Sequence, residues 1–246
     1  MIDKSEMIFG VRAVIEAIEA GKEIDKILVK RDLQSDLSKE LFEALKGRFI
    51  VVQRVPVERI NRITRKNHQG VVAFISAVPY QRLSSIVPTL YEDGKTPLIV
   101  VLDGITDVRN FGAIARTCEC AGADAIVIPT KGSVSVNADA VKTSAGALLS
   151  IPVCRETNLT EAVKYLKQCG FHAVAATEKG DRYYTEADFT LPTCLIMGAE
   201  DIGVDAERLA ECDELVKIPM FGKIESLNVS VASGVMIYEI IRQRNK

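Results

Sequence analysis

The sequence predicts an α/β protein in two parts: a small N-terminal α/β unit over residues 1–76 and a larger parallel-sheet unit over 97–246, joined by a linker over 77–96. Three observations carry this. Short, almost continuous apolar runs recur in the second part, among them Leu98-Ile-Val-Val-Leu102, Ala125-Ile-Val-Ile128 and Thr193-Cys-Leu-Ile-Met197. Strands apolar throughout belong to parallel sheets covered on both faces. Segments with apolar residues at helical spacing separate them, and several close on a glycine, as at Gly122 and Gly170. Residues 76–96 interrupt the alternation with weak periodicity and the breakers Pro79, Pro88, Asp93-Gly94 and Pro97.

In chain order, Val11, Val14, Ile15 and Ile18 mark a helix over 8–21 that ends at Gly21. Ile24 to Val29 reads as a strand, Leu33 to Lys46 as a helix closed by Gly47, and Phe49 to Val52 as a strand. Val57 to Arg65 is a short helix and Gly70 to Ile75 a strand. Strand and helix alternate, as in a compact α/β unit. The linker holds one short helix, Leu83 to Glu92. In the second part the strand Leu98–Leu102 runs through the loop Asp103–Arg109 into a helix over Asn110–Ala121, with Asn110 placed as its cap. Next come the strand Ala125–Ile128, a short helix over Ser144–Ser150, a brief strand at Val153 and a helix over Thr160–Cys169. Phe171–Ala176 and Thr193–Met197 are strands, Ala206–Glu211 is a helical turn, Glu214–Ile218 is a strand, and the last helix covers about 228–244.

Composition narrows the function classes. The 246 residues are 48% apolar, enough for a sizeable core. No stretch approaches the roughly 18 apolar residues of a membrane span. The charged start Met1-Ile-Asp-Lys-Ser-Glu6 lacks the apolar region of a signal peptide, so a cytoplasmic location off the membrane is expected. Cysteines at 118, 120, 154, 169, 194 and 212 form no C-x-x-C pair. Free thiols are expected rather than disulfides or a zinc site. Two histidines, His68 and His172, supply a metal site or triad poorly, and no metal is expected. Net charge is −2, but residues 1–76 carry 14 Lys/Arg against 11 Asp/Glu, and the remainder 17 against 22. Arg48, Arg54, Arg59, Arg62, Arg65 and Lys66 face only Glu58 within 47–66. Such a strip is either a solvated face or a surface that contacts phosphates.

Three loops that follow strands carry the chemistry. The first is Asp103-Gly-Ile-Thr-Asp-Val-Arg-Asn110-Phe-Gly-Ala-Ile-Ala-Arg116; by itself Arg116 could be a solvated helix arginine. The second is Gly198-Ala-Glu200-Asp-Ile-Gly203. A glycine straight after a buried strand lets backbone approach a ligand, whereas Glu200 could simply be a helix-start carboxylate. The third, Ile218-Pro-Met-Phe-Gly-Lys-Ile-Glu-Ser226-Leu-Asn228-Val-Ser-Val-Ala232, sets a Pro/Gly loop, a carboxylate, a hydroxyl and an amide before the last helix. Ser226 and Asn228 suit a helix cap, and a helix N-terminus also favours anionic ligands. Neither the dinucleotide nor the P-loop glycine pattern occurs in the first two loops, which disfavours a Rossmann oxidoreductase.

Together the three loops resemble the motifs of the SpoU, or TrmH-like, RNA ribose 2′-O-methyltransferases of the trefoil-knotted SPOUT superfamily. Asp103–Arg116 follows D-x-x-x-D-P-x-N-x-G-x-x-x-R, Gly198–Gly203 follows G-[NS]-E-x-x-G, and Ile218–Ala232 follows I-P-M-x-G-x-x-x-S-L-N-V-S-x-A. Val108 stands where the family has Pro, and Ala199 where it has Asn or Ser. Phe9-Gly10-Val-Arg-Ala-Val-Ile-Glu-Ala-Ile18 and His68-Gln-Gly-Val-Val-Ala73 resemble the ribosomal-protein-L30e-like substrate-binding domain of the 23S rRNA guanosine methyltransferases in this family. The resemblance implies a knotted catalytic domain, methyl transfer from S-adenosylmethionine to a ribose 2′-hydroxyl, and rRNA in preference to tRNA. A tRNA substrate, or an RNA-binding module without catalysis, is the alternative. It also implies Arg116, Asn110, Glu200, Ser226 and Asn228 as catalytic-site residues, and Thr177, Gly198, Ile218 and Leu227 as cofactor contacts. RNA contacts are expected from Arg48, Arg54, Arg62, Arg65 and Lys66. A homodimer with active sites shared between chains is a further implication. The final helix is compatible, because Val231, Val235, Tyr238, Ile240 and Ile241 give it more apolar surface than one sheet face needs.

Overall fold

The computed structural model describes residues 7–92 and 94–245. The charged start Met1–Glu6 and Asp93 of the Asp93-Gly94 breaker lie outside the described residues. The chain divides into two compact units, one running to Pro79 and one starting at Tyr80, with the short stretch Ser135–Asn137 grouping with the first.

The first unit contains β1 (Met7–Phe9), α1 (Val11–Glu19), β2 (Ile24–Lys30), α2 (Asp36–Ala44), β3 (Val51–Val55), α3 (Val57–Ile63) and β4 (Val71–Ile75). Its sheet runs β1-β4-β2-β3, with β2 parallel to β3 and β4 antiparallel to both neighbours. The two-residue period of a strand sorts the core. Ile27, Val29, Val71 and Ala73 meet α1 and α2 through Val14, Ile18 and Leu41. Leu28, Val55 and Val72 meet α3 through Ile60 on the other face. Two sequence boundaries shift for local reasons. Ile8 and Phe9 leave the first helix and join Met7 in a strand, since its pairing with β4 is long-range and three residues cannot display a period. Helix α2 starts at Asp36 because Ser35 and Ser38 cap it reciprocally.

The second unit contains β5 (Tyr80–Gln81), α4 (Leu83–Leu90), β6 (Leu98–Asp103), α5 (Val108–Cys120), β7 (Ala125–Pro129), α6 (Ala138–Thr143), β8 (Val153–Glu156), α7 (Leu159–Gln168) and β9 (His172–Ala176). It continues with β10 (Arg182–Tyr183), β11 (Thr193–Gly198), α8 (Ala206–Glu211), β12 (Glu214–Lys217) and α9 (Val229–Arg244). Its sheet runs β10-β12-β9-β11-β6-β7-β8-β5, and every neighbouring pair is parallel. Ile99, Val101, Ala125, Val127 and Ile196 bury one face with α4 and α7. The alternate residues turn to the opposite face, where α5 and α9 meet each other as well as β7 and β11. The parallel-sheet reading therefore holds, and the apolar runs are apolar throughout because both faces are covered.

Three expectations change. Residues 77–96, read as a linker with one helix, hold that helix as α4 and add β5, and neither is a free connector: Leu83, Ile86 and Val87 are buried in the larger core, and Tyr80 pairs with Val153. The helix expected at Ser144–Ser150 is broken where Ala145 turns left-handed (φ 52°), so α6 lies upstream and only a 3-10 turn, Ala147–Leu149, remains. Helix α5 begins earlier than Asn110: Asp107 caps it, accepting from Arg109 N at 2.9 Å and Asn110 N at 2.8 Å. An ionised carboxylate can accept both bonds, and it frees the Asn110 side chain for another partner. The departure at Val108 follows from the same geometry. Val108 is the first helical residue, where proline fits because its missing N–H has no intrahelical partner, so valine loses only preset geometry.

All six cysteines are free. Burial pushes the thiols of Cys118, Cys154 and Cys212 up to about 12, which removes them as nucleophiles. Among the described residues no helix is long and apolar enough to cross a membrane.

Candidate active site

Strand order reverses between β6 and β11: the chain leaves β6 for β7 and β8 on one side, then places β9, β11 and β12 on the other. The carboxyl ends of strands at such a switch point form a natural crevice. A cavity of about 340 Å³ opens beside it, at the ends of β9, β11 and β12, bounded by the loop Gly198–Gly203, the segment after β12 and the first turn of α9. That volume lies within the range of about 300–1,000 Å³ usual for small-molecule sites. Thr177, Gly198, Ile218 and Leu227 all line it, together with Glu200 and Ser226. Carboxylates outnumber cations on its wall: Glu178, Glu200, Asp201 and Glu225 face Lys217. The composition suits a ligand with an apolar body and positive charge.

Each residue reaches this place for a local reason. Thr177 follows β9, is nearly buried, and donates its N–H to Val216 O at 2.9 Å, so the loop begins against β12. Its hydroxyl donates to Glu178 Oε2 at 3.3 Å. Gly198 ends β11, and a Cβ there would stand 2.1 Å from the carbonyl carbon of Gly203 and 2.2 Å from Val204 N. The loop folds back on its own strand, closed by Gly203 N donating to Ala199 O at 2.7 Å. Sequence reasoning attributed this glycine to the approach of a ligand; Gly198 does line the cavity, and its missing side chain also makes room for the loop's own backbone. Ala199 packs close to Gly104, where a Cβ would stand 3.4 Å from the Ala199 Cβ.

Asn228 is the meeting point of the three loops. Its Oδ1 accepts from Ser230 N at 3.0 Å and Ser230 Oγ at 2.6 Å, capping α9. Its Nδ2 donates to Asn110 Oδ1 at 3.1 Å and to Glu200 Oε2 at 3.3 Å. A carboxylate can only accept, which turns the Asn228 nitrogen toward Glu200 and the Asn110 oxygen toward Asn228. Asn110 and Glu200 also line an adjoining cavity of about 480 Å³ with Asp107 and Thr106. Arg116 stands exposed on the third turn of α5 and lines neither cavity. The structure thus joins Asn110, Glu200 and Asn228 directly, sets Ser226 on the cavity wall, and leaves Arg116 apart. Asp107 and Glu178 belong to this region and were missed as site residues, and Glu225, noted as the carboxylate of the third loop, lines the cavity too. An Asp three residues before Asn110 was the available signal for the cap.

The basic strip separates in the same way. The Arg48 guanidinium donates to Ile18 O at 2.6 Å, at the end of α1. Arg54 donates to Arg31 O at 3.3 Å and lies over the Phe42 ring at 5.3 Å, and Lys66 sits over Phe9 at 5.4 Å. Arg62 and Arg65 line a shallow groove with Asn61.

Residues 97–238 match the SpoU rRNA methylase family. The chain belongs to that family. It is an RNA methyltransferase of the TrmH/SpoU type, and residues 7–81 match the RNA 2′-O ribose methyltransferase substrate-binding domain. A Staphylococcus saprophyticus protein named for the TrmH family of tRNA/rRNA methyltransferases is 35% identical over 239 residues, covering 97% of this chain and 96% of its own. The SpoU methyltransferase AviRb from Streptomyces viridochromogenes, solved with AdoMet, superposes with a TM-score of 0.62 at 26% identity, covering 97% of this chain and 90% of that one. An AdoMet-bound rRNA methyltransferase from Sinorhizobium meliloti gives 0.61 at 28% identity, covering 98% and 88%. In this methyltransferase the cavity, the Asn228 junction and the loops that build them all fall within the family's matched segment.

Proposed function

We propose that this RNA methyltransferase transfers the methyl group of S-adenosylmethionine to a ribose 2′-hydroxyl, with a guanosine of 23S rRNA as the favoured target. The observation that carries the reading is the junction at Asn228, which ties the first turn of α5 to an acidic, partly apolar cavity beside the switch point. The residues present fit that cofactor. Ile218 and Leu227 offer apolar surface for a base, Thr177 offers a hydroxyl, and Glu178, Glu200 and Glu225 offer negative charge to a sulfonium and an ammonium. The cofactor brings a methyl group already activated on sulfur. What remains for the chain is to hold the hydroxyl in line and help remove its proton. Arg116 is suited to clamp the neighbouring phosphate, because guanidinium stays protonated and binds phosphate by two parallel bonds. The Asn110 nitrogen, its oxygen taken by Asn228, is available to the ribose, and the Ser226 hydroxyl lies on the cavity wall. A knotted path for the catalytic domain and a cytoplasmic setting complete the reading.

A second copy of the chain is part of this proposal. Ile240 faces the core, so α9 buries one stripe in its own unit, but Val231 and Tyr238 remain 52% and 53% exposed seven residues apart on the other side. Phe221 (94% exposed) and Ile224 (78%) extend apolar surface along the segment after β12. Surfaces of this kind mark interaction sites. In this reading the partner's Arg116 serves this chain's cavity, the arrangement that the family resemblance implies.

The test is transfer of labelled methyl from S-adenosylmethionine to 23S rRNA fragments and to tRNA, followed by nuclease digestion. Label in 2′-O-methylguanosine from rRNA is expected. Label on a base overturns the ribose reading, and label in tRNA alone moves the target to tRNA, which the name of the Staphylococcus saprophyticus relative also allows. Reversing Arg62 and Arg65 to Glu is expected to weaken binding of the rRNA fragment and to flatten its log–log salt dependence by about 1.5, given a slope of roughly 0.7–0.9 per phosphate contact. Titrations from low to moderate salt check this; an unaltered slope makes the strip a solvated face.

A further inference from the structure

We propose that Asp103 and Arg208 form a latch that holds both feet of the Ala199–Gly203 loop, making Arg208 a positioning residue for the cofactor cavity; this rests on the cofactor reading above. Asp103 is the last residue of β6 and is 7% exposed. Its backbone is the register partner of Gly198, the residue from which the loop departs. Its carboxylate Oδ2 accepts from Asp205 N at 2.9 Å, just past the residue where the loop returns, and from Arg208 Nε at 2.6 Å. One residue of the neighbouring strand therefore grips the loop where it leaves and where it comes back.

The far side of the latch is itself braced. Asp205 caps α8, accepting from Glu207 N at 2.9 Å, and its other oxygen lies 3.6 Å from Arg208 Nη2. Between the two feet the loop presents Glu200 to Asn228 and forms one wall of the 340 Å³ cavity. Asp103 and Arg208 do not line that cavity. Their effect on it passes through the loop. Glu200 meets Asn228 at 3.3 Å, near the outer limit of a hydrogen bond, so a small shift of the loop breaks the contact. Charge-assisted bonds between a carboxylate and a guanidinium in a largely buried place are strong, and removing one partner strands the other.

The experiment compares Arg208→Ala, Arg208→Lys and Asp103→Asn with Ile126→Val, a conservative change in β7 that touches none of the loops. Amide hydrogen exchange is read at 199–204 without cofactor, S-adenosylmethionine affinity by calorimetry, and stability by thermal unfolding. The expected result is exchange at 199–204 at least about tenfold faster and affinity about tenfold weaker in Arg208→Ala and Asp103→Asn, partly restored in Arg208→Lys, with Ile126→Val at wild-type values for both. Wild-type exchange at 199–204 in both Arg208→Ala and Asp103→Asn overturns the latch. So does an affinity loss that Ile126→Val reproduces at equal thermal stability, which would make the effect global. If the wild-type chain binds no S-adenosylmethionine, the cofactor reading fails, and the exchange measurement still judges the latch.

Discussion

Gly198→Val is expected to remove measurable S-adenosylmethionine binding and to cost stability at the same time. The Cβ alone would stand 2.1 Å from the Gly203 carbonyl carbon and 2.4 Å from its oxygen, and both contacts are backbone. Backbone cannot swing aside like the end of a flexible side chain, so the Ala199–Gly203 loop must leave its place. Overpacking of this kind costs about 1–3 kcal/mol, and valine adds two further carbons to the clash. Displacement of the loop takes the Ala199–Gly203 hydrogen bond with it and moves Glu200 away from Asn228. Calorimetry is expected to give an affinity at least about 100-fold weaker, since this loop forms one wall of the cavity, and urea unfolding is expected to give the stability loss. Wild-type affinity in the folded variant would mean that the cofactor lies elsewhere.

Asn228→Ala and Arg116→Ala are each expected to lower methyl transfer by about 100-fold or more, for different reasons, and to rescue one another when mixed. Asn228→Ala removes a helix cap worth about 1 kcal/mol, a loss the fold can bear. It also removes the donor that fixes Asn110 against Glu200, and displacements of about 1 Å in a reacting site cost roughly 100-fold. Arg116→Ala removes an exposed side chain that lines neither cavity, so cofactor affinity and stability are expected to stay at wild-type values. If Arg116 serves the partner's cavity, a mixed dimer has one site with both defects and one with neither, and activity returns. If it serves its own chain, every site keeps one defect and the mixture stays inactive. A mixture shown by mass to exchange subunits, yet inactive, rules out the shared site; a monomeric mass at working concentration rules out the dimer as well.

Much of this architecture was legible before any coordinates. The parallel sheet followed from runs such as Leu98–Leu102, because burial on both faces leaves no polar alternation to read. Asn228 was readable as a cap, since its residue type and its place before a periodic segment are local properties. Local signals competed at the start of α5, where Asp107 and Asn110 are both good caps and only the folded backbone selects Asp107. In 77–96 the helix at Leu83 was legible, but β5, with two residues, and the burial of α4 were not, because both depend on partners in β8 and the core far along the chain.

By itself the sequence determined the α/β class, the alternation of strands and helices, and three loops whose residue types belong to one family of methyltransferases. Those features are periodic or motif-like, and each is written within some fifteen residues of chain. The tertiary structure decided which of those residues meet. It joined Asn110, Glu200 and Asn228, which are separated by up to 118 positions, left Arg116 outside their cavity, and packed the returning loop backbone against Gly198. It also joined Asp103 to Arg208 across 105 positions. A hydrogen bond between side chains so far apart depends on strand order and on the direction each loop leaves the sheet, and no local propensity encodes either.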